Sequence, residues 1–149
     1  MKIVIDSREQ NPFQFDFPDC GTIVGSLYAG YYTLYGFESS IAVERKELGD
    51  LIGCLTSGRD RFMRELERLR GYDSAVVVVE SEFADIVNGN YRSRLNSESA
   101  VQSIISIMQK YRMPFFFAGG HKNAERFTYD FLRHAHRHAM ERFKSLNNK

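Results

Sequence analysis

The sequence predicts an α/β fold, a central mixed sheet with helices on both faces. Ala75-Val76-Val77-Val78-Val79 is an unbroken apolar run, the pattern of a strand buried on both sides. Segments with helical apolar spacing alternate with short apolar runs, which is how layered α/β domains read. Tyr31–Tyr35 and Ile41–Glu44 bracket Gly36-Phe37-Glu38-Ser39, a hairpin signal that adds antiparallel pairing to the sheet.

Lys2–Asp6 reads as a buried first strand. Residues 9–21 hold Pro12, Pro18, Phe13, Phe15 and Phe17, the composition of an irregular aromatic segment. Ile23–Tyr28 has an ambiguous period and fits either a short strand or a helical turn. Leu48–Leu55 is expected to be a short helix with Asp50 in its first turn, where the helix dipole favours an acid. Arg59–Arg70 has Phe62, Leu66 and Leu69 at i, i+4 and i+7, an amphipathic helix that Gly71 closes. Glu82–Asn88 reads as helical. Ser97 is the expected N-cap of a helix over Glu98–Tyr111, whose apolar face is Val101, Ile104, Ile105 and Met108. Phe115–Ala118 reads as a buried strand after Pro114, and Asn123–Leu146 as a long closing helix with a frayed Asn147-Asn148-Lys149 tail.

At 149 residues the chain fits one domain, residues 1–149, with an ordinary core. No apolar run approaches the roughly 20 residues that span a bilayer. Lys2–Asp6 has the look of a strand and not of a signal peptide, so a cytoplasmic location is expected. Cys20 and Cys54 lack any ligand or redox spacing, and free thiols are expected. The formal net charge is only +1, which excludes a strong global field for nucleic acid. Basic residues cluster locally instead, in Arg45, Lys46, Arg59, Arg61, Arg64, Arg68 and Arg70, diluted by Asp60, Glu65 and Glu67.

The most informative stretch is Glu44-Arg45-Lys46, at the end of Ser40-Ile41-Ala42-Val43 and four positions before Asp50. A strand projects alternate side chains to one face, so Glu44 and Lys46 point one way and Arg45 the other. A carboxylate beside an ammonium suits phosphodiester hydrolysis. The carboxylate holds a hard cation through oxygen, and the lysine orients the attacking water and offsets developing negative charge. The competing reading is a solvated Glu–Lys pair, which taken alone is the commoner arrangement.

Four elements in order change that balance: Asp6-Ser7-Arg8-Glu9, Gly30-Tyr31-Tyr32, Glu44-Arg45-Lys46 with Asp50, and Gly58-Arg59-Asp60-Arg61. Together they resemble the nuclease domain of the xeroderma pigmentosum group F (XPF) structure-specific endonucleases, in particular the small stand-alone forms of phages and bacteria. That family carries Asp-x-Arg-Glu on its first strand, Gly-Asp-Tyr on its second, and Glu-Arg-Lys-x-x-x-Asp after its third. The first and third match residue by residue. The likeness runs on through the Val76–Glu80 and Pro114–Gly119 segments.

The resemblance implies a restriction-endonuclease-like (PD-(D/E)xK) fold, a homodimer, and cleavage of branched or single-strand-containing DNA with Mg²⁺ or Mn²⁺. It implies a catalytic set of Glu44, Lys46, Arg45, Asp50 and Asp6, with Glu44, Asp6 and Asp50 as the metal acids. Arg8, Arg59 and Arg61 are the candidate DNA contacts. The helix-hairpin-helix modules of larger members find no room here. Host processes from repair and recombination to phage DNA processing stay open.

One element departs. Gly30-Tyr31-Tyr32 stands where the family has Gly-Asp-Tyr, and tyrosine, neutral near pH 7, is a poor Mg²⁺ ligand. Three outcomes remain: another carboxylate substitutes, with Asp6 and Asp50 the candidates; activity is weakened; or the protein binds DNA without cutting it. Tyr31 fills the vacated space or stacks on a base.

Other roles divide between function and ordinary structure. Arg45 contacts phosphate or braces an acid. Glu80 serves the site or only ends its strand. Arg61 and Glu65 are spaced as an i,i+4 surface pair, and Arg64 and Arg68 as solvating groups on a helix face. His134 and His138 share a helical face but lack a carboxylate or cysteine partner in sequence, so an exposed helix surface is expected there.

Overall fold

The computed structural model describes residues 1–149. Its strands are β1 (Lys2–Asp6), β2 (Gly21–Gly25), β3 (Tyr32–Leu34), β4 (Ile41–Glu47), β5 (Ser74–Glu80) and β6 (Phe115–Phe117). Its helices are α1 (Leu48–Leu55), α2 (Arg59–Arg70), α3 (Phe83–Val87), α4 (Ser97–Tyr111) and α5 (His121–Asn147). The strands form one sheet in the order β2-β1-β3-β4-β5-β6. β1 pairs antiparallel with β3, and β3 with β4, whereas β1–β2, β4–β5 and β5–β6 are parallel. This is the mixed sheet the sequence predicts.

Alternation along the central strands builds two cores. Ala42, Val77 and Val79 face one side and pack with Leu51, Leu55, Phe62, Leu66 and Leu69 of α1 and α2 and with Ile104 and Ile107 of α4. Val43, Val76 and Val78 face the other side and meet Ala124 and Leu132 of α5. The aromatic segment after β1 fills the rest of that second core. Phe13 stacks on Tyr32 at 4.9 Å and Phe15 meets the same ring edge-on at 5.4 Å. No helix is long and apolar enough to cross a membrane.

Several expectations need correction. The N-cap of α4 is Asn96, whose side chain accepts from the Ser99 amide at 3.2 Å, and Ser97 is the first helical residue. Of the two readings open at Ile23, the structure takes the strand, which needs no correction; it is an edge strand that leaves Val24 exposed. α5 begins at His121 and carries Asn147 within it. β3 begins at Tyr32, because Gly30 turns the chain with φ +77° just before Tyr31.

That turn aims Tyr31. A Cβ at position 30 would lie 3.0 Å from Ala42 Cβ and 3.2 Å from the Val43 carbonyl oxygen, in a backbone region that L side chains rarely adopt. Gly30→Ala is therefore expected to cost about 1–3 kcal/mol. A lower urea midpoint with an unchanged m-value is the check.

Candidate active site

β4 carries the site because it leads from the sheet centre straight into α1. Its residues Glu44 and Lys46 share the face covered by α1 and α2, and Arg45 is on the opposite face among Glu9, Glu80 and Phe13. Glu44 is 1% exposed. Its Oε1 is buried without a hydrogen-bond partner. Lys46 Nζ stands 3.4 Å from that oxygen, an ion-pair contact without hydrogen-bond geometry. Burial pushes the Glu44 carboxyl up to about 7 against the pull of Lys46, and the negative charge of Glu65 adds to the rise. Burial alone would lower Lys46, but Glu44 holds it charged and above its ordinary value. Its ammonium also lies 5.2 Å from the centre of the Phe62 ring.

Beside this pair opens a cleft of about 410 Å³. Arg8, Tyr31, Lys46, Glu47, Asp50, Cys54, Arg61 and Glu65 are among the residues lining it. Asp50, in the first turn of α1, is exposed at the cleft. Arg59 is exposed but outside the lining, whereas Arg61 reaches it. Tyr31 is half-buried, and burial followed by the charge of Glu44 raises its hydroxyl. The Arg8 guanidinium lies 5.8 Å from the centre of the Tyr31 ring.

Asp6 is engaged elsewhere. Its Oδ1 accepts from the Arg8 amide at 2.9 Å and Arg8 Nε at 2.7 Å, and its Oδ2 from the Leu27 amide at 2.8 Å and Arg8 Nη2 at 3.3 Å. Burial alone would raise this carboxyl, but those bonds hold it below the usual carboxylate range. Asp6 thereby fixes Arg8 beside the cleft.

On the other face, Arg45 makes a forked contact with Glu9, Nη2 to Oε1 at 2.6 Å and Nε to Oε2 at 2.8 Å. Its Nη1 reaches Glu80 at 3.0 Å and Glu47 at 3.3 Å. Glu80 in turn contacts His121 Nδ1 at 2.8 Å. Tyr32 donates its hydroxyl to Glu9 at 2.9 Å and accepts the Phe13 amide. Arg45 thus braces acids, and Glu80 belongs to that brace rather than merely ending its strand.

A family model described as the ERCC4 domain matches residues 5–131. The chain belongs to the ERCC4 domain family. No curated protein matches it. Among solved structures, XPF from Aeropyrum pernix superposes with a TM-score of 0.70 at 22% identity, over 97% of this chain and 69% of that one. The same organism's XPF in complex with DNA gives 0.68 at 22% identity, over 91% of this chain and 65% of that one. At this identity the likeness establishes the fold, a restriction-endonuclease-like α/β architecture.

Within this ERCC4 domain, Arg8, Lys46, Asp50, Arg61 and Glu65 line one cleft, and Glu44 is buried behind Lys46, outside the lining. Asp6 is tied to Arg8 and Leu27, and Arg45, which also borders the cleft, is committed to Glu9 and Glu80. The expected Arg61–Glu65 surface pair does not form. Glu65 Oε2 lies instead 3.6 Å from Lys46 Nζ. Nothing local in the sequence singles out this residue, because an acid four positions after an arginine looks like a surface partner. The spacing that could have found it is Phe62-x-x-Glu65-Leu66, which puts Glu65 at the margin of the buried stripe. In the sequence Glu9 carries only a motif match, and its pairing across 36 positions has no local signal. Cys20 and Cys54 are free thiols, and Cys54 borders the cleft. His136 packs edge-on against Phe37, and His138 faces Glu141.

No three His, Cys, Asp or Glu side chains converge as a ready-made metal cage. Magnesium sites are nonetheless commonly built from one or two carboxylates completed by water and substrate phosphate. The buried Glu44 oxygen without a hydrogen-bond partner is a hard oxygen donor of that kind, so the residues present fit a divalent cation.

Proposed function

We propose that this ERCC4 domain is a metal-dependent DNA endonuclease that cuts branched or single-strand-containing DNA. The observation that carries this reading is the Glu44 oxygen, buried and without a hydrogen-bond partner beside a charged lysine at a cleft. Desolvating a carboxylate in this way is costly, and a hydrolytic site is a reason to retain it. Mg²⁺ or Mn²⁺, when bound, would supply positive charge at the scissile phosphate and lower the pKa of the attacking water. Glu44 would hold the ion together with a second acid. Asp50 is free to approach the cleft, whereas Asp6 has both oxygens committed to Arg8 and Leu27. Lys46 would orient the water and offset charge on the phosphate. Arg8, Arg59 and Arg61 would hold the DNA backbone and carry no sequence preference. A homodimer and an intracellular, DNA-associated location belong to the same proposal. The similar XPF from Aeropyrum pernix solved in complex with DNA supports DNA as the partner.

Tyr31 favours a second reading, a DNA-binding or dimer-forming protein whose cleavage is weakened or silent. It stands where the family's pattern has an aspartate, and its phenol is held neutral beside Glu44. Flap, fork and single-stranded DNA should be incubated with wild type, Glu44→Gln and Tyr31→Asp, in Mg²⁺ or Mn²⁺ and in chelator. Metal-dependent cutting by wild type that Glu44→Gln abolishes is the expected result. Cutting by Tyr31→Asp alone would identify the silent form, and cutting that persists in Glu44→Gln would remove Glu44 from the chemistry.

A further inference from the structure

We propose that Glu65 is the second acidic ligand of this site, replacing the carboxylate that the Gly30-Tyr31-Tyr32 element lacks. The inference rests on the metal-dependent reading above and names the acid which that reading leaves open.

Two acids converge on one ammonium. Lys46 Nζ lies 3.4 Å from Glu44 Oε1 and 3.6 Å from Glu65 Oε2, so a single positive charge faces two carboxylates. A divalent cation among the same oxygens would satisfy both, including the Glu44 oxygen that has no hydrogen-bond partner. Glu65 reaches this point from α2 and not from the sheet. It precedes the fully buried Leu66, and its side chain is only 22% exposed. It has no ion pair with Arg61 to hold it outward, although the spacing permits one. The hard-cation chemistry of the site requires oxygen donors, which Glu65 offers and the neutral Tyr31 phenol does not. The other candidates are placed less favourably. Asp6 is saturated by four bonds, and Asp50 is exposed at the cleft with no contact to Lys46.

If the two acids are interchangeable by position, a carboxylate restored at position 31 should make Glu65 dispensable. A Glu65 that merely anchors Lys46 would not be rescued in this way.

Mn²⁺ binding should be titrated by electron paramagnetic resonance of the free ion, with cleavage of a flap substrate followed in parallel. The proteins are wild type, Glu44→Gln, Glu65→Gln, Glu67→Gln, Tyr31→Asp and the Tyr31→Asp/Glu65→Gln double variant. Glu67 is an exposed acid on the same helix and serves as the control. Glu65→Gln is expected to weaken Mn²⁺ at least about tenfold, since even outer-shell partners of a metal contribute that much. Glu67→Gln should bind as wild type does, and the double variant should regain the affinity that Glu65→Gln loses. Wild-type affinity in Glu65→Gln overturns the inference, and so does a double variant that stays as weak as Glu65→Gln. Thermal melts in chelator establish that each variant is folded. Wild type that binds Mn²⁺ through Glu65 yet cuts nothing would overturn the nuclease reading and leave this ligand assignment standing. Wild type that cuts while Glu65→Gln binds Mn²⁺ unchanged does the reverse.

Discussion

Arg45→Ala is expected to cost about 3–5 kcal/mol of folding stability. The reason lies in what the guanidinium leaves behind. Glu9 and Glu80 have side chains only 3% and 9% exposed, and both carboxylates close on Arg45. Without it, Glu9 keeps the Tyr32 hydroxyl and the Asn11 amide, and Glu80 keeps His121. Neither acid has a permanent positive charge in its place. Burial would then dominate, and Glu9, now held below its ordinary value mainly by Arg45 against that burial, would titrate higher.

The sign of the pH dependence follows. In wild type the depressed Glu9 contributes stability that is present above its unfolded value and lost as pH falls through its lower folded value. In Arg45→Ala the shift reverses, so Glu9 becomes a liability that grows as pH rises above the ordinary carboxylate range. Urea denaturation at pH 7.5 and at pH 4.5 should show the larger deficit at pH 7.5. Arg45→Lys restores the charge but not the fork, and should recover part of the loss. Equal deficits at both pH values would mean that packing against Phe13, and not charge, is what Arg45 supplies.

The legible parts of the sequence were those whose signal is local and periodic. Val76–Val79 had to be a buried strand, and Phe62, Leu66 and Leu69 had to line one face of a helix. Alternation along Ile41–Lys46 alone was enough to put Glu44 and Lys46 together and Arg45 across the sheet. Illegible parts lacked such a signal. β2 is an edge strand with Val24 facing solvent, so its apolar pattern is no guide, and its pairing with β1 is a tertiary event. Asn96 and Ser97 are both good caps, and nothing local decides between them. Glu65 has the spacing of a surface partner for Arg61. Only the packing of α2 on the sheet turns it toward Lys46. Asp6 shows the converse: its motif offers it as a metal acid, and no local signal tells that the turn at Ser7 returns Arg8 onto it.

Glu44→Gln is expected to abolish cleavage while raising the stability of the metal-free protein above neutral pH. The two effects have one cause. Burial lifts Glu44 from an ordinary value of 4.5 to about 7, so the folded state holds this proton more tightly than the unfolded chain does. Between those values the native protein binds more protons, and stability falls as pH rises. Above pH 7 the ionised carboxylate is a burden of about 1–3 kcal/mol, with the attraction to Lys46 already included. Glutamine has the same shape and carries no charge to desolvate. Melting curves in chelator should therefore coincide near pH 4.5 and separate by several degrees at pH 8, the variant being the more stable. A Glu44 retained only for its ion pair with Lys46 would give the opposite sign at pH 8, because the lysine would lose a partner and nothing would be gained. Greater stability joined to lost cleavage is what a carboxylate kept for chemistry, against the interest of the fold, must show.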